Sequence, residues 1–216
     1  MRTSARDVDD ECALRPIHYL EPVTTSALTP QRVLADAIPG GLVRDAALVL
    51  GGTGLFAVSA QLSIPLWFTP VPLTLQTLAA VLVGAALGPV RGGLSAALYV
   101  AVGYLGVGWF AEHRSGAGFA SFGYLLGMVA AGVLVGWLAS RGGDRTPVRT
   151  AGTMALGNLV IYAFGVPWLM GFAGVGFAKA LTLGVTPFLA GDAIKIAVAA
   201  ALLPAAWQVV RRVEQR

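Results

Sequence analysis

The sequence predicts an all-α integral membrane protein, folded as a compact bundle of six transmembrane helices with both termini in the cytoplasm. Of its 216 residues, 56% are hydrophobic and 12% are charged, whereas soluble domains carry about 25% charged residues. The mean hydropathy of +0.73 agrees with a surface that faces lipid. Six apolar segments follow residue 44, and the arginines between them are distributed in a way that orients the bundle.

The first 43 residues differ from the apolar remainder of the chain. They are rich in charged residues and proline, and they contain no apolar run long enough for a signal peptide. We therefore predict a disordered cytoplasmic extension at 1–43 and one transmembrane domain at 44–216. Cys12 is the only cysteine, so the sequence predicts neither an internal disulfide nor a cysteine-based metal site.

The six apolar segments, taken in order, predict the six helices. They run over residues 45–64, 73–87, 92–110, 119–139, 148–170 and 190–210. A helix needs about 20 residues to span the hydrocarbon core. The segment at 73–87 is shorter than that, so we expect it to tilt toward a loop or to be extended by residues 69–72.

The positively charged residues orient the predicted bundle. With six spans, one side of the membrane holds most of the arginines: Arg44, Arg91, Arg141, Arg145, Arg149, Arg211, Arg212 and Arg216. The other side holds Arg114 and Lys179, with Lys195 near its edge. The positive-inside rule therefore predicts a multi-pass protein of the cell membrane with cytoplasmic termini. Because most arginines lie in short loops between apolar runs, the net charge of +4 does not indicate nucleic-acid binding.

Small residues four apart occur in several segments, among them Ala47 and Gly51 in the first. Such pairs let the backbones of neighbouring helices approach closely within lipid. We expect them either to pack the bundle or to dock the chain onto a partner membrane protein.

Three polar places interrupt the apolar pattern on the predicted outer side. A proline-rich stretch at 64–72 is followed by Gln76, and a glycine-bearing loop at 108–118 carries Arg114. In the last segment Asp192 and Lys195 are three residues apart and share one helix face. A charge within the membrane costs roughly 2.5–3.5 kcal/mol on insertion scales. Two such charges indicate a polar cavity, unless they merely neutralise each other at the membrane edge.

This polar inventory suits a small amphipathic anion that carries amide-like groups. The site would offer an acceptor carboxylate, two cations, amides and aromatic rings, with Asn158 and Tyr162 as further polar candidates one turn apart. The sequence holds no nucleotide-binding motif, so any ATP must be used by another chain. The apolar segments hold no HExxH motif, Ser/His pair or paired carboxylates, so no catalytic residues are predicted.

Several short motifs occur in order between residues 45 and 200. They are QLSIPL at 61–66, TPVPLTLQTL at 69–78, GP at 88–89 with RGG at 91–93, GYLLG at 123–127, GNLVIY at 157–162, GVPWL at 165–169, and PF at 187–188 followed by Gly191, Asp192 and Lys195. Together they resemble the BioY family of biotin transporters, the substrate-binding S components of energy-coupling factor (ECF) transporters.

The resemblance implies a six-helix S component that binds biotin, the transported ligand, near the outer face and needs no cofactor. It also implies partners on other chains, namely a transmembrane coupling protein and two ATPase subunits, which we expect to dock at Ala47 and Gly51. By the same resemblance the ligand-binding residues are Gln76, Tyr99, Arg114, Asn158, Asp192 and Lys195.

Two other functions stay open at this point. S components share a fold while the pocket selects the ligand, so the chain could serve another small vitamin. A non-catalytic structural subunit of a membrane assembly is the second alternative, against which the intramembrane charges and the proline-rich stretch argue.

Overall fold

The computed structural model describes residues 32–215. Six α-helices form most of this part: α1 Leu42–Gln61, α2 Gln76–Tyr104, α3 Phe122–Ser140, α4 Pro147–Ala173, α5 Phe177–Gly184 and α6 Leu189–Glu214. Short 3-10 helices lie at Leu34–Ala37, Ala111–His113 and Thr186–Phe188. Two short strands, β1 Ser63–Ile64 and β2 Leu73–Thr74, pair antiparallel, with Ser63 opposite Thr74.

Within residues 32–215, five helical stretches are long and apolar enough to cross a membrane. They are Leu42–Gln61, Gln76–Tyr104, Phe122–Ser140, Pro147–Ala173 and Phe177–Val213, the last of which joins α5 to α6. The sequence predicted six spans because it divided residues 73–110 into two segments. Both of these segments fall largely within α2, a single helix of 29 residues.

A break at Gly88 divides α2. Gly88 has φ 87° and ψ 178°, outside the helical region, and Pro89 follows, which has no backbone N–H to donate. A Cβ atom added at Gly92 would lie 2.8 Å from the Cα atom of Gly84, whereas eight residues of straight helix span about 12 Å. The two halves of α2 therefore lie side by side, and the break coincides with the gap between the second and third predicted segments.

Glycines permit close packing of α3 against its neighbours, α2 and α4. A Cβ atom added at Gly84 of α2 would lie 2.7 Å from the carbonyl oxygen of Gly132 in α3. One added at Gly127 of α3 would lie 2.8 Å from the Cα atom of Ile161 in α4. Helices in lipid associate through such backbone approaches, since lipid tails are as apolar as the side chains.

The predicted N-terminal extension overlaps the described residues only at 32–43. There the chain packs on the bundle: Val33 is buried and Leu34–Ala37 forms a 3-10 helix. Asp36 forms an ion pair of 2.9 Å with Arg91 of α2. Burial acts to raise the pKa of Asp36, but hydrogen bonds from the Val33 N–H and from Arg91 outweigh it and hold the pKa below its usual value. The predicted disorder is not found in this overlap, and the rest of the extension lies outside the described residues.

Candidate functional site

A small cavity lies where α2, α3, α4 and α6 meet the β2 strand. Its free volume is about 50 Å³. Apolar side chains form part of its wall, including Leu125, Met128 and Ile161. The polar residues that line it are Thr74, Gln76, Thr77, Ser121, Tyr124, Tyr162, Asp192 and Lys195. Apolar and polar residues line the cavity in equal number, and a concave site that combines both suits a small amphipathic molecule.

Lys195 has a hydrogen-bond partner for each of its three ammonium protons. Its Nζ atom lies 2.7 Å from the carbonyl oxygen of Thr74, 2.7 Å from Thr77 Oγ1 and 3.5 Å from Asp192 Oδ1. An ammonium group offers three donors and no acceptor. The donors are therefore fully used, and a ligand that bound Lys195 would replace one of these partners.

Asp192 is buried in the first turn of α6, where the helix dipole favours a negative charge. Its Oδ1 atom faces Lys195, and its Oδ2 atom accepts a hydrogen bond from the hydroxyl of Tyr162 in α4. The two buried charges compensate each other, whereas either one alone would be an uncompensated charge in a low-dielectric environment.

Gln76 is the first residue of α2 and lines the cavity, and Tyr99, which does not line the cavity, bonds to its amide. Gln76 Nε2 donates to the Tyr99 hydroxyl at 2.8 Å, and that hydroxyl donates to the carbonyl oxygen of Trp109 at 3.3 Å. Tyr99 is 1% exposed, and its ring stacks on Phe56 and on Trp109 at centroid distances of 5.5 and 5.3 Å. Tyr99 therefore fixes the Gln76 amide without lining the cavity itself.

Arg114 lies outside this cavity. Its guanidinium pairs with Glu112 at 2.6 Å and lies 5.8 Å from the centre of the Phe119 ring. Together with His113 and Phe119 it lines a separate, more open depression. Ala111, three residues earlier, lines the inner cavity, so this loop separates the two spaces.

The structure brings three of the six predicted ligand-binding residues to the cavity wall: Gln76, Asp192 and Lys195. Tyr99 lies behind that wall, and Arg114 lines the outer depression. Asn158 is half-buried in α4, one turn before Tyr162, and is not among the residues that line the cavity.

Thr77 and Tyr124 are among the polar residues of the cavity that were not predicted from the sequence. Thr77 gave no signal because threonine in an apolar helix commonly bonds to its own backbone. Tyr124 donates to the carbonyl oxygen of Gly184 at 2.9 Å. Its sequence signal was the GYLLG motif, which by itself assigns no role to the hydroxyl.

Comparison with known proteins gives one consistent family. The family model described as the BioY family matches residues 25–212. A BioY protein of Pyrococcus horikoshii is 38% identical over 158 residues, which cover 72% of this chain and 91% of that protein. Proteins named biotin transporter BioY from Thermotoga maritima and Rhizobium etli are each 36% identical. These matches cover 68% and 64% of this chain, and 86% and 79% of the two relatives.

A solved structure shares the fold. The S component for biotin from an ECF-type ABC transporter matches with a TM-score of 0.67 at 22% identity, over 81% of this chain and 92% of that one. The family model spans nearly all of the sequence, and the relatives are matched over most of their own length. The chain therefore belongs to the BioY family.

Proposed function

We propose that this chain is the biotin-binding S component of a biotin uptake system in the cell membrane, without ATPase activity of its own. The observation that carries the proposal is the buried Asp192–Lys195 pair beside a cavity, in a chain whose relatives are named biotin transporters. A purely structural subunit gains little from buried charges beside a void, because each charge costs free energy to desolvate.

The chemistry of biotin suits the polar groups of the cavity. Biotin carries a ureido group with two N–H donors and one carbonyl oxygen, next to an apolar thioether ring. We propose that Asp192, an acceptor, takes one ureido N–H group and that Lys195 donates to the adjacent ureido oxygen. Gln76, on the same wall, can donate and accept, and Met128 belongs to the apolar wall that would face the thioether ring.

We assign the carboxylate tail of biotin to the outer depression, which Arg114 lines. Arginine pairs bidentately with carboxylates. The guanidinium now pairs with Glu112 at 2.6 Å, so the tail would compete with a partner from the same loop. Tyr99 would act indirectly by holding Gln76, and Asn158 would reach the ligand only if α4 turned.

The cavity must widen to hold biotin. Ligand pockets commonly measure about 300–1,000 Å³, and the present free volume is about 50 Å³. Two hydrogen bonds of 2.7 Å hold the stretch between α1 and α2 against the bundle. One joins Lys195 to the Thr74 carbonyl, and the other joins Thr69 Oγ1 to the Leu183 carbonyl. We propose that this stretch lifts when the ligand binds.

We propose six membrane spans with both termini in the cytoplasm, in which each half of α2 counts as one span. The fold-back at Gly88 supports this count, because Gly84 and Gly92 lie side by side on opposite halves. With six spans, Arg91, just after the break in α2, and Arg145, in the turn between α3 and α4, fall on one side of the membrane, as the positive-inside rule requires.

Accumulation of biotin needs an energy source on other chains, since equilibrium binding alone cannot drive it. We propose a transmembrane coupling protein and two ATPase subunits as partners. Their docking surface would be α1, where Ala47 and Gly51 are exposed and a Cβ atom added at Gly51 would meet no atom within 4 Å. Such a surface admits close approach of a second helix.

Titration of the purified chain with vitamins tests the ligand. Biotin should give a saturable one-site isotherm, whereas thiamine and riboflavin should give no heat above dilution. Saturable binding of another vitamin without binding of biotin would assign the chain a different ligand. No saturable binding of any of them would contradict the proposal as a whole.

A further inference from the structure

Tyr162 and Lys195 contact different oxygens of the Asp192 carboxylate. Its hydroxyl donates to Asp192 Oδ2, while Lys195 Nζ faces Oδ1 at 3.5 Å. Tyr162 also lines the cavity. We infer that Tyr162 is a positioning residue that fixes the plane of the Asp192 carboxylate and so keeps an acceptor lone pair directed at a ligand N–H group. This inference rests on the proposed role of Asp192 in ligand binding.

The Tyr162 ring is itself held in place. It meets the ring of Tyr124 edge-on, at a centroid distance of 6.4 Å and an angle of 89°. Tyr124 is anchored in turn, because its hydroxyl donates to the Gly184 carbonyl at 2.9 Å and its side chain is buried. The Tyr162 hydroxyl that donates to Asp192 therefore belongs to a side chain that its packing holds in one orientation.

A fixed carboxylate plane matters because the terminal torsion of aspartate is soft. Rotation about χ2 is broad when nothing restrains it. With one donor on each oxygen, the plane is set, and the lone pairs left on the two oxygens keep a constant direction. The two N–H bonds of a cyclic urea point away from each other, so the carboxylate can accept only one of them, and it does so best when a lone pair already points along that bond. A carboxylate free to rotate would have to be ordered when the ligand binds, at a cost in affinity.

The test compares Tyr162→Phe with the wild type in biotin titrations. We expect the affinity for biotin to fall about ten- to a hundredfold, the range expected when a hydrogen bond to a charged group is lost. Tyr104→Phe is the matched control, because Tyr104 is 58% exposed and lies outside this cavity. Its affinity should equal that of the wild type. If Tyr162→Phe does not stay folded at the assay temperature, Tyr162→Met, of similar length, replaces it.

Two readouts separate positioning from packing. When Tyr162→Phe is added to Asp192→Asn, the affinity of the double variant should be within about twofold of that of Asp192→Asn alone, because Tyr162 acts through Asp192. The second readout uses the two analogues methylated on one or the other ureido nitrogen. For the analogue that lacks the N–H accepted by Asp192, the affinity ratio between biotin and the analogue should shrink in Tyr162→Phe. Full additivity with an unchanged ratio would mean that Tyr162 only packs or contacts the ligand directly.

The proposed function and this inference fail in different ways. If the wild type does not bind biotin, the proposed function fails first. If the wild type binds biotin and Tyr162→Phe binds it equally well, only the positioning role of Tyr162 is overturned.

Discussion

The Nζ atom of Lys195 lies 2.7 Å from the carbonyl oxygen of Thr74, a residue 121 positions earlier in the chain. This bond joins α6 to the β2 strand at the end of the proline-rich stretch. The same ammonium group also bonds Thr77 in the first turn of α2 and faces Asp192. One cation thus connects the candidate ligand site to the segment that covers it.

Replacement of Asp192 by Asn should weaken biotin binding about ten- to a hundredfold or more. The change swaps an acceptor-only group for one that also presents donors, and it leaves Lys195 without its charge partner. A hydrogen bond to a charged group contributes about 1.5–3 kcal/mol. Isothermal titration measures the loss. Asp36→Asn, at the ion pair with Arg91 outside the cavity, is the matched control and should bind as the wild type does. Wild-type affinity in Asp192→Asn would remove Asp192 from the site.

Bulky residues on α1 should block assembly but not ligand binding. With Ala47→Leu and Gly51→Leu combined, copurification with the coupling protein should fall, because the small exposed surface no longer admits a second helix closely. Gly152→Leu combined with Gly171→Leu is the control on α4, where an added Cβ atom likewise meets nothing within 4 Å. Biotin affinity should stay unchanged in both double variants. Loss of binding in the α1 variant would instead assign these residues to packing of the bundle.

Cysteine labelling of intact cells should distinguish the two sides of the membrane. In a Cys12→Ala background, Trp67→Cys should react with an impermeant maleimide, since Trp67 is 95% exposed in the loop between α1 and α2. Arg141→Cys, at the exposed end of α3, should react only after the membrane is permeabilised. The reverse pattern would overturn the proposed orientation. Three proposed spans, the two halves of α2 and α3, separate the two positions, so labelling of both from the same side would contradict this count.

Gly88→Ala should destabilise the fold. Gly88 has φ 87° and ψ 178°, a conformation that costs a residue with a Cβ atom about 1–3 kcal/mol. For a chain of this size we expect the midpoint of thermal unfolding to fall by roughly 2–12 °C. Gly152→Ala, in the regular part of α4 with open space around it, should leave the midpoint unchanged or raise it. An unchanged midpoint in Gly88→Ala would mean that the break in α2 does not need glycine.

The sequence predicted the helical stretches well because each is a long apolar run. The segment at 148–170 corresponds to α4 at Pro147–Ala173, and the segment at 190–210 corresponds to α6 at Leu189–Glu214. The short helix α5 was missed. At eight residues it is below the length that an apolar run needs to indicate a span.

The site was predictable only as far as local spacing reaches. Asp192 and Lys195 are one turn apart on a single helix, so their proximity followed from helical geometry. The bond from Tyr162 to Asp192 joins two helices and depends on how they cross, which no local pattern contains. Arg114 was expected near the cavity, but Glu112 turns the loop through a positive φ of 60° and pairs with it instead.

The small size of the cavity has a consequence for the time course of binding. The free volume of about 50 Å³ is below that of common ligand pockets, so we expect the stretch between α1 and α2 to open before biotin associates and to limit the rate of association. In stopped-flow fluorescence, the observed rate should level off with rising biotin instead of increasing in proportion to it. Thr69→Val removes the bond from Thr69 Oγ1 to the Leu183 carbonyl and should raise the maximum observed rate at high biotin concentration. The Thr69–Leu183 bond involves no residue that we propose to contact biotin, so it can re-form after the ligand has entered and delay its release as well.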